Sequence, residues 1–222
     1  MQLNVHLDPT EARLFGVLIE KALTTPDQYP LTINAATNGA NQKSNRDPVV
    51  SLPEDAVAVA LDRLEKKYLA RKVFPMNSRV EKFCHNGKDA LGLSAAELAV
   101  IAELLMRGPQ TPGDLRLRAS RMTPFESIEA LTALLSTLID RGFVRRLPPA
   151  PGSRAERYVQ LLAPDLHPIE VRPTAGAPER PIIPEATGAL AQRVEALEHE
   201  LRALRRHVQQ LAERLGMTLD PP

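Results

Sequence analysis

One block of this chain occurs twice, and that duplication constrains the fold more than any other feature. Leu7-Asp8-Pro9-Thr10-Glu11 and Leu93-Ser94-Ala95-Ala96-Glu97 each place a Leu before a helix N-cap residue, with a Glu three positions after the cap. That pattern is the reciprocal side-chain cap of a helix start. Apolar residues then follow at helical spacing, Leu14, Phe15, Leu18 and Ile19 in the first copy and Val100, Ile101, Leu104 and Leu105 in the second. Further on, Leu61 through Val73 aligns without gaps on Leu135 through Leu147.

Between these blocks each copy has room for a second helix, Leu31 to Ala40 with Thr32 as N-cap, and Thr111 to Ala119. A third helix is expected to start from Ser51-Leu-Pro-Glu54 and from Thr123-Pro-Phe-Glu126, with Pro in the first turn. Its expected buried positions are Val57, Ala60, Leu61, Leu64 and Tyr68, then Ile128, Leu131, Leu134, Leu135, Leu138 and Ile139. Two β-prone runs around a turn close each copy: Leu69 to Phe74 with Arg79 to His85, and Phe143 to Leu147 with Arg157 to Leu162. Three helices and a hairpin make a winged helix, the hairpin-bearing variant of the helix-turn-helix. The fold class expected is mainly α with small β-hairpins (α+β), as two tandem winged-helix domains, 1–88 and 89–162. Each should have its own interior, one holding Leu14 and Leu64, the other Leu104 and Leu138.

A linker at 163–185 contains Pro164, Pro168, Pro173, Pro178, Pro181 and Pro184 and reads as an extended spacer. Beyond it Leu190, Val194, Leu197, Leu201, Leu204, Val208, Leu211 and Leu215 follow steps of four and three, the seam of a coiled-coil helix over 186–216, with a tail at 217–222. Val194 and Val208 at a positions with Leu at d favour a parallel pair, and Arg193 with Glu198 and Glu200 with Arg205 would attract across it. A homodimer is therefore expected.

The residues also resemble the YceH-like family of bacterial proteins. The likeness is carried by Glu11-Ala-Arg13, Gly16-Val-Leu-Ile-Glu20-Lys21, Thr24-Thr-Pro-Asp-Gln-Tyr-Pro30 and Asn41-Gln-Lys-Ser-Asn-Arg46-Asp-Pro48-Val49. Arg79-Val with Lys82, Leu93-Ser-Ala-Ala-Glu97, Arg107-Gly-Pro-Gln-Thr-Pro-Gly113-Asp-Leu-Arg116 and Arg193-Val-Glu-Ala-Leu-Glu198 extend it over nearly the whole chain. The resemblance implies tandem winged helices and no particular activity, the family being uncharacterised. Members carry Cys where this chain has Ala40, which argues against essential thiol chemistry there.

Function is constrained mostly by charge. Lys and Arg total 28 against 27 for Asp and Glu, so any nucleic-acid binding must come from local clusters. Arg116, Arg118 and Arg121 before the third helix, with Arg145, Arg146, Arg154 and Arg157 on the second hairpin, could form one basic face for phosphates. The alternative is a solvated surface with ion pairs to Asp140 and Glu156. Lys43, Asn45 and Arg46, in a polar loop from Asn38 to Arg46, are the first-domain candidates, with a structural loop pairing to Asp27 and Asp47 as the alternative. Both third helices begin acidic, with Glu54 and Asp55 and with Glu126 and Glu129, and neither presents a base reader.

The five histidines, His6, His85, His167, His199 and His207, are scattered, and Cys84 and His85 should point to opposite faces of one strand. No catalytic residue, metal ligand or cofactor is expected, and the chain is not read as an enzyme. The absence of a secretory signal or spanning segment and the single Cys84 fit a cytoplasmic protein with no membrane partner. The reading is a dimeric regulatory protein binding double-stranded DNA. The alternative is a protein-protein interaction scaffold with an unidentified protein partner.

Overall fold

The structure, a computed structural model, describes residues 5–74, 80–150 and 152–167. The expected coiled-coil helix with its seam, the tail and most of the Pro-rich linker lie outside the described residues.

Among the described residues seven α-helices and four strands run in two matched series. The first comprises α1 (Pro9–Thr24), α2 (Ile33–Ala40), α3 (Glu54–Lys66), β1 (Ala70–Val73) and β2 (Lys82–His85), followed by a short α4 (Gly87–Leu91). The second comprises α5 (Ala95–Arg107), α6 (Pro112–Ala119), α7 (Ile128–Asp140), β3 (Val144–Leu147) and β4 (Arg157–Gln160). The chain is thus α+β, helices with two small antiparallel hairpins, β1 with β2 and β3 with β4.

The helix starts follow from their caps. Asp8 Oδ1 accepts the Glu11 amide at 2.8 Å while Glu11 Oε2 accepts the Asp8 amide at 2.9 Å. Ser94 and Glu97 repeat the exchange at 3.3 and 2.7 Å. Thr32 and Thr111 cap α2 and α6 through the amides of Ala35 and Asp114. The third helices start later than the sequence suggests. Pro53, not Ser51, is the N-cap of α3, because a residue before proline is kept out of the helical region. In the second series Arg116 Nε and Nη2 bond the carbonyls of Phe125 and Glu126 at 3.3 and 3.0 Å and hold them outside the helix. Ser127, not Thr123, therefore caps α7.

The two series correspond in their tertiary contacts as well. Leu31 exchanges two backbone bonds with Phe83, and Gln110 does the same with Tyr158, adding a third bridging residue to each hairpin. The C-cap of each third helix pairs with the capping Glu of the first helix, Lys67 with Glu11 at 2.5 Å and Arg141 with Glu97 at 2.9 Å.

Two expectations about burial are corrected. Tyr68 is 77% exposed and Ile128 43% exposed, because α3 ends at Lys66 and α7 begins only at Ile128, so helical spacing does not carry either ring or branch inward. The interiors are also not separate: Leu14, Leu64, Leu104 and Leu138 belong to one continuous apolar cluster. The junction is α1 against α5, made close by Gly16, where an added Cβ would lie 3.0 Å from Met106 Cγ and 3.4 Å from the Ala102 carbonyl oxygen.

Candidate nucleic-acid interface

The second hairpin carries exposed cations. Val144 and Leu147 of β3 turn inward while Arg145 and Arg146 between them are exposed. Arg146 Nη1 lies 3.2 Å from Glu156 Oε2, with both side chains about half in solvent, a geometry that contributes little to stability. Arg145 and Arg154 are exposed and have no ion-pair partner among the described residues. Arg157 is half-buried, and its Nε has no hydrogen-bond partner.

The three arginines of the α6 region are engaged elsewhere. Arg116 holds the loop before α7, as described. Arg118 donates to Gln110 Oε1 at 2.8 Å and lies 3.8 Å from Asp114. Arg121 reaches across to α1 and α5, bonding Glu20 Oε1 and, at 3.0 Å, Glu103 Oε2. The expected single basic face thus contracts to the hairpin. Of the two acids weighed as its partners, Glu156 is used.

The outer surface of α7 offers nothing for reading bases. Its exposed residues include Ile128, Glu129, Ala130, Ala133, Ser136, Thr137 and Asp140, and the hydroxyls of Thr132, Ser136 and Thr137 bond carbonyls of their own helix. Hydrogen bonds from its own backbone and from Ser127 hold the Glu129 carboxyl below its ordinary range. A fixed negative charge therefore sits at the start of α7, as Glu54 and Asp55 do at the exposed start of α3.

The polar loop of the first series has another fate. Arg46 is buried, with Nη2 2.5 Å from Glu20 Oε2, 2.8 Å from the Gly39 carbonyl and 2.9 Å from Gln42 Oε1. Its carboxylate partner is Glu20, not Asp27 or Asp47. Asn45, in the left-handed region at φ 60°, accepts from Arg107 Nη2, and Arg107 Nε lies 3.2 Å from Glu103 Oε1. The Asp47 amide donates to the Met106 carbonyl at 2.7 Å, and its carbonyl accepts from His167 Nε2 at 2.8 Å. Arg13 Nη2 donates to the Pro48 carbonyl at 2.6 Å. Asn41 imitates a strand neighbour for Leu52, exchanging two bonds of 2.8 Å. Only Lys43 of the three candidates is exposed.

Two carboxylates, Glu20 and Glu103, are therefore shared by Arg46, Arg121 and Arg107 at the seam between the two series. Burial pushes the Glu20 carboxyl up, but the hydrogen bonds and charges of Arg46 and Arg121 outweigh it and hold the group below its ordinary range. Burial, with Arg46 nearby, lowers Arg13 to about 10. Sequence reasoning misses this network. Its only signal is charge on the apolar face of a helix: Arg13 and Glu20 in α1, and Glu103 interrupting the Leu98 to Met106 run.

Cys84 and His85 do not assemble a reactive pair. Cys84 Sγ lies 3.6 Å from the Arg71 carbonyl, whereas His85 Nδ1 accepts the Gly87 amide at 3.3 Å. Burial, then Arg71, lowers the His85 pKa. His6 lies 3.4 Å from Asp165, and His199 and His207 fall outside the described residues. No helix among the described residues is long and apolar enough to cross a membrane.

The family described as "Protein of unknown function, DUF480" matches residues 7–153. A UPF0502 protein of Koribacter versatilis is 44% identical over 204 residues, covering 91% of this chain and 92% of its own. The UPF0502 protein YceH of Salmonella paratyphi A is 41% identical over 221 residues, 96% of this chain and 100% of its own. A UPF0502 protein of Aeromonas hydrophila is 43% identical over 219 residues, 96% and 98% respectively.

Proposed function

We propose that this chain, which belongs to the DUF480 family of proteins of unknown function, is a cytoplasmic, non-catalytic DNA-binding protein of regulatory type. Each half acts as a winged helix, and the second hairpin rests on duplex phosphates through Arg145, Arg146 and Arg154, with Arg157 at its edge. The observation that carries the reading is selective: the other candidate cations near the second half are tied into internal contacts, while Arg145 and Arg154 stand exposed and Arg146 pairs only with the half-exposed Glu156. The heptad seam over 186–216 pairs two chains, so that two hairpins bind together and each raises the effective concentration of the other.

Contacts of this kind position a protein without reading sequence. Binding should weaken steeply with salt, with a slope of about −0.9 per phosphate neutralised. The test is a titration of labelled duplex DNA at two salt concentrations with the native chain and with Arg145, Arg146 and Arg154 all changed to Ala. Binding that weakens with salt and is lost in the variant supports the reading. Affinity that is absent at low salt, or unchanged in the variant, refutes it.

A second reading has its own observation. Leu117 is 78% exposed on α6, and Ile128 is exposed at the start of α7, beside the fixed carboxylate of Glu129. An apolar and acidic surface suits a protein partner better than DNA. In that case the chain is a scaffold that uses its winged helices without nucleic acid.

A further inference from the structure

The two series differ sharply at one matched position. After α7 the chain turns through Gly142 at φ 77°, with the Gly142 amide bonded to the Ile139 carbonyl and the Phe143 amide to the Leu138 carbonyl, both at 2.9 Å. This is the left-handed helix terminator in which glycine is favoured, since it has no Cβ to clash. After α3 the same turn is made with the same bonds, Tyr68 to Glu65 and Leu69 to Leu64, both at 2.9 Å, but the left-handed residue at φ 60° is Tyr68. A bulky side chain is unfavourable in that conformation.

Packing does not repay the strain, because the tyrosine is 77% exposed. Its backbone carbonyl is held by Asn86 Nδ2 at 3.2 Å, so the base of the side chain is fixed while the ring stands in solvent. Lys66 and Arg71 are exposed, and Lys66 also lines an open groove of ≈350 Å³ with His6, Asp8, Glu11, Arg63 and Lys67. Its two acids are already committed to capping α1 and pairing with Arg63 and Lys67. Lys66 has no partner among the described residues.

An exposed aromatic ring on an anchored stretch of backbone, with exposed cations two and three residues away in the chain, is suited to stacking an unpaired base and neutralising phosphates. We propose that the end of α3, with Tyr68 as the stacking platform and Lys66 and Arg71 as phosphate contacts, binds single-stranded nucleic acid. This surface is on the first series and does not rest on the hairpin reading above. A base inside a duplex cannot offer its face, so this site takes unpaired strands, whereas the hairpin takes duplex.

The chain lacks Trp and has three Tyr. Tyr158 is buried and Tyr29 partly so, which makes Tyr68 the ring most open to a ligand. The full chain is titrated with a labelled oligo(dT) of about 20 nucleotides at low salt, following anisotropy and tyrosine emission together. The expected result is quenched emission, with affinity at least about tenfold weaker for Tyr68→Gly, close to native for Tyr68→Phe, and lower for Lys66→Ala. Because glycine suits the turn, Tyr68→Gly should melt at the same temperature or higher.

Changing the three hairpin arginines to Ala should leave oligo(dT) binding in place; its loss there would assign the strand to the hairpin and overturn the proposal. No binding at low salt, or equal binding by Tyr68→Gly, also overturns it, as does a drop in melting temperature for that variant, which would make the ring a packing residue. If oligo(dT) leaves the emission unchanged, the ring serves a protein surface and the nucleic-acid assignment is wrong.

Discussion

The loop from Asn38 to Arg46 and the hairpin from Val144 to Gln160 are both polar and both carry arginine, yet they do different things. In the loop, Arg46 is buried against Glu20 and Asn45 is clamped by Arg107 across the seam. On the hairpin, Arg145 and Arg154 are exposed and have no ion-pair partner among the described residues. A cation close to a buried carboxylate becomes part of the fold, because an ion is costly to bury without its partner. A cation on a two-stranded ribbon has no such partner and is free to meet a phosphate.

The comparison can be broken most directly at Glu20. Glu20→Ala leaves Arg46 buried without its carboxylate and should cost about 3–5 kcal/mol, read by denaturant melts. A loss below about 1 kcal/mol would show that the loop is held by other bonds.

A smaller loss is expected from Asn41→Ala, which removes two bonds that order the loop and should cost about 1–3 kcal/mol by the same measurement.

Acid should loosen the seam before it affects the hairpin. Burial, helped by Arg13 and opposed by Asp47, holds the His167 pKa below its usual value, and Glu20 is held low as well. For a group whose folded pKa is depressed, the stabilisation is complete above the unfolded pKa and is lost as pH falls toward the folded one. Stability should therefore decline in two stages, from about pH 6.5 for His167 together with His85, whose pKa burial also lowers, and from about pH 4.3 for Glu20. His167→Gln should shrink the first stage in thermal melts across pH, leaving the share that His85 supplies; a first stage unchanged by that substitution would assign it elsewhere.

The smallest effect on stability belongs to the hairpin. Changing Arg145, Arg146 and Arg154 to Ala should shift unfolding by less than about 0.5 kcal/mol, because the Arg146–Glu156 ion pair is half in solvent. A larger loss would mean that the hairpin arginines, like those of the loop, belong to the fold.

Much of this contrast is beyond a linear reading. The amide and basic residues of both regions are visible in the sequence, but Glu20 and Glu103 lie on α1 and α5, far along the chain from Arg46 and Arg121. Their partnership depends on how the two helices cross. Tyr68 is missed for a local reason: it continues the spacing of Leu61 and Leu64, but the helix has already ended.

The sequence alone determined the local elements: the capped starts of α1, α2, α5 and α6, two antiparallel ribbons and membership of a family. Such elements are set by short-range side-chain to backbone bonds and by residue spacing, and both are written in order along the chain. Only the tertiary structure decided that the two halves share one interior around Gly16, that three arginines share two buried acids, and that a tyrosine stands out beside Lys66. Each of these depends on contacts between residues distant in the chain, or on where a helix stops, and burial is a property of the packed molecule rather than of any segment.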